Sequence, residues 1–159
     1  MFEIGDFVVY RRDVCKVISY KEKYFKNIDY YELVPILDNS LKIVVPVSSE
    51  LRKVLSKEEA ENIIDLIPSV DIIRVDDKLI EGEYKKLLHK GDYMGLVQII
   101  KTTYLRNEDR VNNKRKISEK DDNYFNLAEK YLYSEFSVSL SIPYEDVKNY
   151  VINRVKEKM

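Results

Sequence analysis

A chain of 159 residues, 45% of them hydrophobic, can bury one good core or two small ones without help from disulfides or metals. Its single cysteine, Cys15, has no partner for a disulfide within the chain, and no stretch approaches the roughly 20 apolar residues that a membrane-spanning helix needs. The 27 basic and 28 acidic side chains nearly cancel, which excludes the strong overall positive field of a stand-alone nucleic-acid binder.

The first ten residues carry acids and no continuous apolar run, unlike a secretory leader, and with the lone cysteine this predicts a cytoplasmic protein. From Asp6 to Val47 the apolar residues fall in short runs rich in Val, Ile and Tyr, the composition of pleated, half-buried surfaces. Four strands are predicted: Phe7 to Tyr10, Val14 to Tyr20, Tyr30 to Leu37 and Leu41 to Val47, the last two joined by the turn-forming Asp38-Asn39-Ser40. Short strands with tight connections predict a small, strongly curved barrel. Pro35 and Pro46 lack a ladder N–H and belong at an edge, a bulge or a strand end.

After Ser56 the period changes. Ala60, Ile63, Ile64 and Ile67 recur at helical spacing, with Ser56 as N-cap and Glu58 and Glu59 in the first turn. Pro68 stops this helix and residues 69–77 read as a connector. A helix over Lys78 to Lys90 is closed by Gly91, and Asp92 caps the next, which runs to about Asp109 with Leu96, Val97, Ile100 and Tyr104 on its inner face. Residues 111–117 read as an exposed loop. Ser118 with Asp121 approximates a capping box for a helix whose buried stripe is Tyr124, Leu127, Ala128, Tyr131 and Leu132. Pro143 opens the last helix, with Val147, Tyr150, Val151 and Val155 facing inward. The expected architecture is α+β: a β-barrel over residues 1–56, then an all-α domain over residues 57–159.

The residues that usually announce catalysis do not cluster in this sequence. His89 is the sole histidine and reads as a surface residue near a helix C-terminus, and Cys15 as a small hydrophobe in a strand. The four glycines make no phosphate-cradling cluster, and Glu58-Glu59, Asp76-Asp77 and Glu119 with Asp121 and Asp122 sit where helices begin, as solvated first-turn acids do. No enzyme, cofactor, metal site or small-molecule substrate is expected. Thirteen tyrosines in a chain without tryptophan supply amphipathic anchors, and Tyr124, Tyr131 and Tyr150 fall on core stripes rather than on a base-stacking surface. Between Lys101 and Lys120, seven bases (Lys101, Arg106, Arg110, Lys114, Arg115, Lys116, Lys120) face three acids. The end of this stretch reads equally as a solvated loop and as a patch that touches phosphates without reading sequence.

Residues 2–10 (Phe-Glu-Ile-Gly-Asp-Phe-Val-Val-Tyr), Tyr30-Tyr31-Glu32-Leu33, Val44-Val45-Pro46-Val47 and Leu51-Arg52-Lys53-Val54 together resemble the polymerase-interacting domain of the CarD/CdnL transcription regulators, a domain also found in transcription-repair coupling factor. Gly91-Asp92 between two helices, and Ile117-Ser118 opening a long helix with Ala128, Leu132 and Glu135, are similar to that family's helical domain.

The resemblance implies a Tudor- or SH3-like barrel that binds the β subunit of RNA polymerase largely by sheet-edge pairing, and a helical domain near promoter DNA. It implies Lys23, Tyr31, Lys42 and Val44 as polymerase-binding residues, and Lys78, Lys114, Arg115 and Lys116 as weak, non-sequence-specific contacts to DNA. The chain departs from the family at Arg11-Arg12-Asp13-Val14, where a Pro and a Gly-containing turn are usual. It departs again at Asp77, which stands where the family's minor-groove tryptophan would, with Leu79 and Ile80 at neighbouring positions that are basic in the family. These departures keep open a second reading, a protein–protein interaction module that does not bind DNA.

Overall fold

The computed structural model describes residues 1–158; Met159, the last residue of the expected helical unit, lies outside them. The chain is α+β. Five strands, β1 (Phe7–Tyr10), β2 (Asp13–Phe25), β3 (Ile28–Pro35), β4 (Ile43–Pro46) and β5 (Arg52–Lys53), form one antiparallel sheet in the order β4-β3-β2-β1-β5. The sheet is open, with β4 and β5 as its two edges, so the closed barrel expected from strand length is not what the pairing shows.

Period-2 alternation sets which residues face inward. Val8 pairs with Cys15, Val17 with Leu33 and Tyr31 with Val45, and these six side chains form a buried cluster. Cys15 is fully buried there as a small apolar residue, and desolvation, followed by the charge of Asp13, pushes its thiol up to about 11.

The prolines obey the ladder. Ile36 N–H donates to Val14 O at 3.0 Å, so the nitrogen of Pro35 points the other way, to where β4 has already ended at Ile43. Val47 N–H donates to Asp29 O at 3.1 Å, so the nitrogen of Pro46 faces the open side of β4.

The strands depart from expectation in their boundaries and their number. The β2–β3 hairpin extends to Phe25 and Ile28 because Asp29 clamps it: one carboxylate oxygen accepts the Tyr20 hydroxyl and the other the Lys23 N–H, at 2.9 Å, across an irregular pairing between Lys21 and Phe25. Leu41 precedes β4 and is exposed, because Asp38 closes a turn by accepting the Ser40 hydroxyl at 2.6 Å through its carboxylate and the Leu41 N–H at 3.2 Å through its backbone oxygen. β5, unforeseen, is two exposed residues paired to the free side of β1.

The turn between β1 and β2 is Arg11-Arg12. Tyr10 pairs with Asp13, leaving a two-residue connection, and both arginines adopt the left-handed backbone (φ 47° and 73°). Such turns match the strand twist but favour Asn-Gly; a residue with a Cβ costs on the order of 1–2 kcal/mol there.

The bundle comprises α1 (Lys57–Leu66), α2 (Asp77–Lys90), α3 (Tyr93–Asn112), α4 (Glu119–Ser139) and α5 (Tyr144–Lys158), with a 3₁₀ turn over Ile67–Ser69. The caps are those the sequence predicts. Ser56 and Glu59 form a full capping box, Gly91 takes the left-handed position at φ 71°, and Asp92 and Ser118 accept the N–H groups of Met94 and Asp121. Ala60, Ile64, Tyr84, Ile99, Leu132, Phe136 and Val147 lie at the heart of a second, larger core.

Two expectations for α3 are corrected. Tyr104 is exposed, because Thr102 and Thr103 complete the buried arc and the next 100° step carries residue 104 out to solvent. The helix also continues to Asn112, two residues into the expected loop, and ends with Lys114 in the left-handed conformation (φ 57°) while Arg115 N–H donates to Arg110 O at 2.7 Å. Among the described residues no helix is long and apolar enough to cross a membrane.

Sheet and bundle meet at α4. Glu135, 2% exposed, accepts from both guanidinium arms of Arg52, from Leu55 N–H at 2.8 Å and from the Tyr93 hydroxyl at 3.0 Å. Burial alone would lower the pKa of Arg52, but the hydrogen bonds and charge of Glu135 outweigh it and hold it above the ordinary value.

Candidate interaction surfaces

At the open edge of the sheet, the Val47-to-Asp29 hydrogen bond sets the phase of the β4 ladder. Ile43, Val45 and Val47 turn their backbone groups toward β3, while Val44 and Pro46 turn theirs outward. Proline has no donor, so Val44 supplies the outward N–H of β4. Exposed Lys42 immediately precedes the strand, and exposed Leu41 and Val47 flank it. An extended segment of another protein can add to such an edge by main-chain pairing, with apolar contacts to either side. Tyr31 is not part of this surface. It sits in the interior strand β3, 2% exposed, with Phe2 N–H donating to its hydroxyl at 3.1 Å and the Phe2 and Tyr20 rings edge-on.

Lys23 projects from the β2–β3 hairpin with φ 45°, held by the clamp on Asp29. The Tyr20 hydrogen bond, then the Lys23 N–H, hold the Asp29 carboxyl below its ordinary value, and the same hydrogen bond pushes the Tyr20 phenol up to about 12. Beyond the clamp the tip carries exposed Tyr24, Phe25 and Ile28, with the Lys21 and Lys26 ammonium groups 5.3 and 5.4 Å from the Tyr24 and Phe25 ring centres. Sequence reasoning missed this apolar tip. Its signal was present, since Tyr24-Phe25 comes just before Asn27, a turn residue, which puts the pair at a hairpin end.

In the bundle, packing redistributes the seven bases. The Lys101 ammonium donates to the backbone oxygens of Ile67, Pro68 and Val70. Arg106 and Arg110 converge at 2.8 and 2.7 Å on one oxygen of Asp121, whose other oxygen accepts the Tyr84 hydroxyl at 2.9 Å. Lys120 pairs with Glu81 at 3.4 Å and Arg115 with Asp109 at 3.5 Å. Among the described residues, Lys114 and Lys116 are the bases of this stretch with neither a carboxylate nor a backbone oxygen as partner, which leaves a much thinner patch than residue counting suggests. Asp77 is exposed and gripped by Arg106 at 2.9 Å, which holds its carboxyl below the ordinary value. Lys78 is exposed next to it, while residues 114–116 lie past the end of α3, about 12 Å along the helix axis from Arg106. The DNA-facing candidates therefore do not gather at one point.

In comparisons with known proteins, the chain matches no family model and no curated protein.

Proposed function

We propose that this chain is a cytoplasmic transcription-initiation adaptor, which pairs its β4 edge with the β subunit of RNA polymerase and turns its helical part toward promoter DNA. The observation that carries the reading is the β4 edge: a short strand whose outward N–H is that of Val44, beside Lys42 and within the same sheet as Lys23. In this reading residues 1–56 are the polymerase-interacting unit. The meander order, with a fifth strand that returns to pair with the first, supports a Tudor- or SH3-like topology. Residues 57–159 are the helical unit, and the Glu135 junction keeps the two at a set distance. Such an adaptor changes initiation by binding one state of the polymerase–promoter complex better than another.

DNA contact in this reading is weak and not sequence-specific, because it rests on Lys78, Lys114, Lys116 and the partly engaged Arg115. A second reading, a protein–protein module that does not touch DNA, is favoured by Asp77, since a carboxylate repels phosphate and cannot wedge between bases as an apolar side chain does.

Binding of the full chain to the purified polymerase β-lobe tests the first reading. Micromolar binding lost in the Lys23→Glu/Val44→Pro variant is expected, and no binding by the folded wild-type chain would sink it. The salt dependence of promoter association separates the two readings. Two or three phosphate contacts give a logarithmic slope of about −2 to −3, and a protein-only module gives none.

A further inference from the structure

The junction between sheet and bundle encloses a cleft of about 370 Å³ that the adaptor reading leaves unused. It is within the size range of small-ligand sites and far too small for a nucleic-acid duplex. Three arginines line it: Arg11 and Arg12 from the β1–β2 turn and Arg52 from β5, with Tyr93 of α3 and Tyr131 of α4 as aromatic walls.

Arg52 is committed to Glu135, but Arg11 and Arg12 have no carboxylate partner among the described residues. Their guanidinium groups rest over tyrosine rings, Arg11 at 5.2 Å from the Tyr10 centroid and Arg12 at 5.9 Å from that of Tyr131. A guanidinium on an aromatic face keeps its N–H edge free for an anion. Both arginines also hold the left-handed backbone that Asn-Gly would adopt without strain, so strain and unpaired charge coincide at this turn. Of the two carboxylates in the wall, that of Glu135 is saturated with donors, and that of Glu50 lies exposed with no ion partner among the described residues.

We propose that this cleft binds the oligophosphate group of a small molecule, gripped by Arg11 and Arg12. The planar forks of two arginines match phosphate oxygens, and the volume admits a nucleoside polyphosphate or a free oligophosphate.

Calorimetric titration of the full chain with ATP, GTP, pyrophosphate and tripolyphosphate, without divalent metal, tests the site. Saturable binding is expected to weaken at least about tenfold in the Arg11→Asn/Arg12→Gly variant, the loss of one charge-assisted hydrogen bond. That variant suits the turn better than the native pair does, so an unchanged or higher melting temperature will show that the fold is intact. Glu50→Gln is expected to tighten binding by removing a like charge. Tighter binding of a nucleoside triphosphate than of tripolyphosphate assigns a nucleotide, and equal affinity assigns the phosphate chain alone; either supports the site. Absence of saturable binding at millimolar ligand, or binding undiminished in the Arg11→Asn/Arg12→Gly variant, overturns the proposal.

Discussion

Arg52 and Glu135, 83 residues apart in the chain, join the sheet to the bundle through two parallel hydrogen bonds of 2.8 Å each. The geometry is the bidentate fork in which a guanidinium matches a carboxylate best. The partners are unequally buried: the Arg52 side chain is 45% exposed and that of Glu135 only 3%. Deleting either one therefore leaves a different residue in difficulty.

Arg52→Ala abandons a buried carboxylate to the Leu55 N–H and the Tyr93 hydroxyl. Its expected cost is about 2–3 kcal/mol, below that of a fully buried pair because solvent reaches the arginine. Urea denaturation followed by separate probes of sheet and bundle is expected to resolve two transitions in the variant against one in the wild type. A loss under about 1 kcal/mol would mean that the pair behaves as a surface ion pair.

Asp121 makes stability sensitive to acid. Burial would raise its carboxyl pKa, but hydrogen bonds from Arg110, Arg106 and Tyr84 outweigh burial and hold it below the ordinary 3.8. A carboxylate lowered by folding contributes stability that is present in full above its unfolded pKa of about 4 and is lost as pH falls through the folded value. Asp121→Asn is expected to cost about 3 kcal/mol at neutral pH, because it leaves Arg110, largely withdrawn from solvent, with no carboxylate and Arg106 with only the exposed Asp77. The gap between variant and wild type in chemical denaturation should narrow as pH falls toward about 3; a gap independent of pH would remove Asp121 as the cause.

The direction of the β4 backbone predicts opposite outcomes for neighbouring substitutions. Val44→Pro deletes an outward N–H and should change stability by less than about 1 kcal/mol, as proline on a strand edge does, while abolishing edge pairing with a partner. Val45→Pro deletes a ladder N–H inside the core and should cost about 3 kcal/mol or more. Thermal melts of the two variants read the difference, and equal destabilisation would show the ladder phase to be wrong.

One glycine inside α2 and the one that caps it should respond in opposite senses to alanine. Gly82 is in the helix interior, exposed, with nothing within 4 Å of an added Cβ, so Gly82→Ala should stabilise by about 0.5–1 kcal/mol. Gly91 has equally open space but a φ of 71°, so Gly91→Ala should destabilise by about 1 kcal/mol through the backbone alone. Differential scanning calorimetry of the single variants reads both signs.

Short-range chemistry was legible from the chain itself. Ser56 with Glu59, Gly91, Asp92 and Ser118 cap their helices through groups at most four residues away, so no knowledge of the fold was needed to place them. The missing N–H of Pro35 and Pro46 likewise foretold where each could sit in a ladder. β5 escaped because two exposed residues carry no period, and their strand exists only where the free side of β1 meets them. Tyr104 was misplaced because an apolar ring and the correct spacing cannot show that two threonines complete the buried arc. The basic stretch could be read equally as a solvated loop and as a phosphate-touching patch because counting charge ignores partners, and Arg106 and Arg110 find theirs in Asp121 only when α3 and α4 pack. Glu135 read as one more helix carboxylate. Its role as the joint between sheet and bundle, and the cleft that joint creates, depend on groups from three distant segments converging. Long-range convergence of that kind is set by packing, whereas caps and turns are set by covalent neighbours.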